Sequence, residues 1–78
     1  MRQIDSKECY SSFGKFIKQA RVLQGLGQVE LSEKCGISQS NLSRIEAGGR
    51  IVEFSLAIRL CEALNLDIKE FIDELLQK

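Results

Sequence analysis

The sequence predicts an all-α protein, a single domain of five short helices spanning residues 1–78. Two patterns carry this expectation. Apolar residues recur at steps of three and four in successive segments, the period of helices with one buried face. Each of the first four segments is closed by glycine or asparagine, residues that tolerate left-handed backbone at a helix end. No strand-like alternation, internal repeat or linker interrupts the segments, and the chain has no proline.

After a polar lead-in, Phe13, Phe16, Ile17, Ala20 and Leu23 share one face of a first helix that starts near Ser11 or Ser12 and stops at Gly25. Gln28 to Cys35 forms a two-turn second helix with Leu31 and Cys35 inward, opened by Gly27 and closed by Gly36. Ile37 plugs the tight corner that follows. Ser38 caps the third helix, Gln39 to Ala47, through its hydroxyl; Leu42 and Ile45 mark the inward face, and Gly48-Gly49 stops it. A fourth helix carries the stripe Phe54, Ala57, Ile58, Leu60, Cys61 and Leu64 and ends at Asn65. Asp67 and Glu70 form a capping arrangement for a fifth helix from about Ile68 to Leu76. Its Ile68, Phe71, Ile72, Leu75 and Leu76 are more apolar surface than one short helix buries on a small core.

Composition narrows the function. A chain of 78 residues supports one core, and a core that small gains from oligomerising. A hydrophobic share of 44 % is ordinary for a globular domain and unlike the signature of disorder. No apolar run reaches the length of a membrane span and residues 1–8 lack a signal-peptide core, so a cytoplasmic location without a membrane partner is expected. Cys9, Cys35 and Cys61 are widely spaced, with no CxxC pair and no histidine in the chain, which argues against a metal site. Cys35 and Cys61 fall at apolar positions as small buried hydrophobes, leaving Cys9, near the terminus, as the reactive thiol. Without histidine, a nucleophile beside a base, or a glycine-rich phosphate loop, no enzyme, cofactor or small-molecule substrate is expected. One tyrosine and no tryptophan are poor provision for stacking RNA bases.

Net charge is zero, unlike most nucleic-acid binders, but its distribution is uneven. Residues 12–52 hold Lys15, Lys18, Arg21, Lys34, Arg44 and Arg50 against Glu30, Glu33 and Glu46. Residues 53–78 hold Arg59, Lys69 and Lys78 against Glu53, Glu62, Asp67, Glu70, Asp73 and Glu74. One half can face phosphates while the other repels them.

The segment 28–47 carries the function. Leu31, Cys35, Ile37, Leu42 and Ile45 lock two helices into an angled pair, Ser32 is small where they approach, and Gly36 permits the turn. The third helix then projects Gln39, Ser40, Asn41, Ser43 and Arg44, nearly all of them side chains that hydrogen-bond in both directions, as the major-groove edges of base pairs require. From about Phe13 to Phe71 the chain resembles the Xre/Cro family of helix-turn-helix DNA-binding domains, which includes phage repressors and restriction-modification controller proteins. The resemblance rests on Ile17-Lys18-Gln19-Ala20-Arg21, Gly25-Leu26-Gly27-Gln28-Val29-Glu30-Leu31-Ser32, Gly36-Ile37-Ser38-Gln39-Ser40, Leu42-Ser43-Arg44-Ile45-Glu46-Ala47-Gly48 and Ala63-Leu64-Asn65-Leu66.

The resemblance implies a lambda-repressor-like fold and a transcriptional regulator whose partner is double-stranded DNA. It implies that Gln28 bonds a phosphate and braces Gln39, that Gln39, Ser40, Ser43 and Arg44 face bases or nearby backbone, and that Asn41 reaches either. Ser38 belongs to the same DNA-facing group. Backbone amides at the start of the second helix, Arg50, and Lys15 or Lys18 supply sequence-independent contacts. Arg21 and Glu46 are implied to form a partly buried ion pair. Three positions depart from the family pattern: Gly27 where a capping Ser, Thr or Asn is usual, Ser32 for Ala, and Val52 for Pro.

Plainer alternatives stand beside these. Gln28 and Gln39 are either DNA contacts or solvated helix residues; Arg44 reads a base or pairs with Glu30 or Glu33. Ile72, Leu75 and Leu76 either form a homodimer interface, placing two recognition helices about 34 Å apart on an inverted repeat, or close the core beneath the first helix. The rival function is a protein-interaction module, antirepressor or antitoxin-like, that keeps the fold without DNA binding.

Overall fold

A computed structural model of the chain describes residues 3–77. It contains α1 (Ser6–Leu23), α2 (Gln28–Cys35), α3 (Gln39–Glu46), α4 (Phe54–Ala63) and α5 (Ile68–Leu76), with no strand among the described residues. Helix α1 begins well before the expected Ser11 because Asp5, in extended conformation, caps it: its carboxylate accepts the Glu8 N–H at 2.7 Å. The additional turn carries Cys9 and Tyr10, half-buried against the core, so Cys9 sits on an ordered helix rather than at a loose end.

The first four helices end alike. A left-handed residue, Gly25, Gly36, Gly48 or Asn65, follows each, and the next N–H reaches back five residues: Leu26 to the Arg21 carbonyl (3.1 Å), Ile37 to Ser32 (3.0 Å), Gly49 to Arg44 (3.0 Å) and Leu66 to Cys61 (2.8 Å). This pattern uses carbonyls that a helix end otherwise leaves without partners. In three of the four the reaching residue is apolar, and Leu26, Ile37 and Leu66 pack onto the core. The interhelix connections are thereby short and fixed.

Helix α1 lies across α3 and α5, α2 packs on α3 and α4, and α4 meets α5. Ile17, Leu31, Leu42, Ile45, Leu60 and Leu64 are fully buried at the centre. Phe13 meets Phe71 edge-on with ring centroids 5.1 Å apart, and Phe16 leans on the same ring at 5.5 Å, an arrangement that suits the aromatic quadrupole and pins α5 to α1. At the crossing of α1 and α3, an added Cβ on Gly14 would collide with the Ile45 carbonyl oxygen and lie 3.0 Å from that of Glu46.

Four apolar positions differ from expectation. Leu23 is 87 % exposed, because α1 ends beyond the edge of the core and Leu26 folds back in its place. Phe54 is 70 % exposed while Leu56 is buried: the inward face of α4 is the set 56, 57, 60, 61 and 64, and Phe54, in the first turn, falls outside it. Leu75 is only 7 % exposed and belongs to the core, which leaves Ile72 and Leu76 as the outward apolar residues of α5. Among the described residues no helix is long and apolar enough to cross a membrane.

Candidate nucleic-acid interface

The corner between α2 and α3 is set by backbone and packing together. Gly36 turns left-handed at φ 70°, a conformation that costs a residue with a Cβ. Arg59 of α4 donates to the Cys35 carbonyl at 3.0 Å, holding the end of α2 from behind. Buried Ser32 donates its hydroxyl to the Val29 carbonyl at 2.8 Å, which satisfies the polar atom that departs from the usual alanine. Ser38 caps α3 by accepting the Asn41 N–H at 3.1 Å. Its oxygen is therefore already used once within the chain.

With Leu42 and Ile45 inward, α3 turns Gln39, Ser40, Ser43 and Arg44 to solvent, and Asn41 is half-buried. Gln28, from the first turn of α2, joins these four exposed residues around one shallow polar concavity. Among the described residues the sole ion pair joins Arg21 to Glu46, so Arg44 is not tied to Glu30 or Glu33. Arg50 lies half-buried in the loop after α3, and its Nη1 is buried without a hydrogen-bond partner among the described residues, a donor left pointing where an acceptor is wanted.

Behind this face lies a polar network. Glu46 at the end of α3 accepts from Arg21 of α1 at both carboxylate oxygens, Nε to Oε2 at 2.7 Å and Nη2 to Oε1 at 3.0 Å. The third arm of the guanidinium, Nη1, donates to the Leu26 carbonyl at 2.7 Å. The bond to Glu46 holds the Arg21 pKa above its ordinary value, against the opposing effect of burial. Gln28 donates from Nε2 to Glu46 Oε1 at 2.9 Å, and Gln39 Nε2 approaches Gln28 Oε1 at 3.5 Å, at the long limit of a hydrogen bond.

The structure thus brings together Gln28, Gln39, Ser40, Ser43 and Arg44, and joins Arg21 to Glu46 as the resemblance implied. It also shows how Gly27 manages without a capping side chain: its N–H is taken by the Glu30 carboxylate at 3.1 Å, one half of a capping box. That amide is then not free for a phosphate. Two features have no sequence signal of their own. The Gln28–Glu46 bond joins residues eighteen positions apart, and the need for glycine at position 14 is visible only once α3 is laid against α1.

The comparisons agree with this geometry. A helix-turn-helix family model matches residues 17–71. The clp gene regulator ClgR of Corynebacterium glutamicum superposes with a TM-score of 0.83 at 25 % identity, covering 88 % of this chain and 73 % of that one. The restriction-modification controller protein C.AhdI of Aeromonas hydrophila gives 0.75 at 27 %, covering 80 % and 94 %. The controller protein C.Esp1396I, seen as a tetramer on its natural 35 base-pair operator, shares the fold with a TM-score of 0.77 at 22 % identity, covering 88 % and 91 %. No curated protein matches significantly by sequence. With the motif, its corner geometry and the family match all placed on the same residues, the chain belongs to the Xre-like helix-turn-helix family of DNA-binding transcriptional regulators.

Proposed function

We propose that this helix-turn-helix regulator binds duplex DNA sequence-specifically, with α3 in the major groove, as a homodimer on an inverted repeat. The observation that carries the reading is the outward face of α3 with Gln28: five polar side chains around one concavity, of which Gln39, Ser40, Ser43 and Arg44 are exposed and Gln28 is tied from behind to Glu46. Arg44 has the fork geometry that matches guanine O6 and N7, and Gln39 offers the donor and acceptor that match adenine N6 and N7. Ser40, Asn41 and Ser43 are spaced to reach bases or adjoining backbone. Gln28, Ser38 and Arg50 are assigned to phosphates, which set register without carrying sequence information. Lys15 and Lys18, exposed on α1, add sequence-independent attraction. The acidic residues of α4 and α5 keep the opposite end away from the duplex.

The homodimer reading draws on Ile72 and Leu76, 44 % and 52 % exposed; Ile72 and the exposed Phe54 both line an apolar groove of about 230 Å³ between α1, α4 and α5. A twofold pair would set the recognition helices about 34 Å apart, one turn of duplex.

Selection of bound duplexes from a random library at two salt concentrations tests the reading. An enriched inverted repeat with half-sites about one turn apart is expected, with preference at single positions lost in Gln39→Ala and Arg44→Ala. Absence of any enriched sequence at low salt would refute it and favour a protein-interaction module.

A further inference from the structure

We propose that Glu46 is a positioning residue for DNA readout, acting through Gln28 to set the hydrogen-bonding pattern that Gln39 presents. The inference rests on α3 being the recognition helix.

An ionised carboxylate only accepts, whereas an amide accepts at one end and donates at the other. Glu46 is held rigidly. Its side chain is 3 % exposed, both oxygens are gripped by Arg21, and that guanidinium is itself anchored to the Leu26 carbonyl at the entry to α2. The end of Gln28 that faces Oε1 must therefore be its NH2, at 2.9 Å, and its carbonyl oxygen must point the other way, toward Gln39. There it meets the Gln39 NH2 at 3.5 Å, so that Gln39 turns its own oxygen and remaining N–H outward.

Reversing Gln28 would set its oxygen against the carboxylate and its NH2 against Gln39. Gln39 would then have to turn its oxygen inward and show only N–H groups to the groove. A donor-acceptor pair and a pair of donors fit different base edges. The buried ion pair thus selects what the exposed face offers. A merely structural Glu46 would hold α1 to α3 and leave that choice open.

Amide hydrogen exchange in the free wild-type protein, followed by NMR, gives the first test. The Gln28 side-chain NH2 is expected to exchange at least about tenfold more slowly than those of exposed Gln19 and Gln77, and Glu46→Gln is expected to abolish the difference. Equal exchange in the wild type overturns the proposal.

The second test uses the duplex the wild type prefers and each of its single base-pair changes. In Glu46→Gln, discrimination at the base pair under Gln39 is expected to fall about tenfold while that at other positions stays within about twofold. With Gln28→Ala already present, Glu46→Gln should cause no further loss. A uniform loss of affinity for every duplex, with the ratios intact, would mark Glu46 as structural only and overturn the proposal. Should Glu46→Gln fail to fold, Gln28→Ala, which leaves the ion pair whole, must lose the same discrimination; if it keeps it, the proposal fails. A wild type without sequence preference would sink the recognition reading and this inference together, whereas failure of the inference alone leaves wild-type discrimination in place.

Discussion

Replacing Gly14 with alanine sets two known effects against each other. In an exposed helix interior, Gly→Ala gains about 1 kcal/mol from helix propensity. At position 14 the new Cβ would collide with the Ile45 carbonyl oxygen and sit 3.0 Å and 3.2 Å from the oxygen and carbon of the Glu46 carbonyl. All three are backbone atoms of α3, so no rotamer change relieves them. The helices must separate, and they do so where Phe13, Ile17, Leu42 and Ile45 pack. Overpacking of this kind costs about 1–3 kcal/mol, and a gap of about 0.5–1 Å forfeits a quarter to a half of each dispersion contact it opens. With rigid atoms on the far side the upper end applies, which leaves a net loss of about 2 kcal/mol after the propensity gain. For a domain of this size that lowers the melting midpoint by about 8–16 °C. Thermal and urea unfolding followed by circular dichroism measures it. Gly49→Ala is the control, since its Cβ would meet nothing nearer than the Arg44 carbonyl at 3.9 Å, and it should shift stability by no more than about 0.5 kcal/mol. A Gly14→Ala protein as stable as its parent would show that the α1–α3 approach does not require glycine.

Burial, followed by the charges of Asp67 and Glu70, pushes the Cys61 thiol up from 9.0 to about 11. The folded pKa lies above the unfolded one, so this contribution to stability is complete below pH 9.0 and is lost as pH rises to about 11. Urea midpoints should fall across that window and fall less in Cys61→Ala; parallel pH profiles for the two proteins would refute the assignment. At the proposed dimer face, Ile72→Glu combined with Leu76→Glu changes two side chains that are 44 % and 52 % exposed and should leave folding within about 0.5 kcal/mol of wild type. Sedimentation equilibrium should show the wild type as a dimer at micromolar concentration and the variant as a monomer with weakened binding to an inverted repeat. A wild type that is monomeric throughout would remove the homodimer reading.

Local signals account for most of what the sequence made legible. Helices α2, α3 and α5 fall within a residue of expectation because glycine, serine and aspartate at their ends act on the nearest backbone and need no tertiary partner to do so. Periodicity likewise found Ile17, Leu31, Leu42, Ile45 and Leu60. It failed at the margins, for Leu23, Phe54 and Leu75, because a helical period says which residues share a face but not where the opposing surface stops. The start of α1 was missed for a related reason: Asp5 caps through its own carboxylate, and the residues following it are mostly polar, so nothing periodic announces them.

The face of α3 divides in the same way. That Gln39, Ser40, Ser43 and Arg44 point outward follows from the inward positions of Leu42 and Ile45, which are fixed by spacing. That Gln28 presents its oxygen rather than its NH2 to Gln39 does not follow from spacing, because the two ends of an amide are nearly the same shape and differ only in what they can bond. The distinction is made by Glu46, whose charge is held in place by Arg21 from another helix. A glutamine in solution reorients freely; beside a locked carboxylate it has one favourable orientation. The donor and acceptor pattern that Gln39 turns outward is therefore, on the proposed reading, a tertiary property of this fold, carried by a buried pair that the resemblance marked as structural.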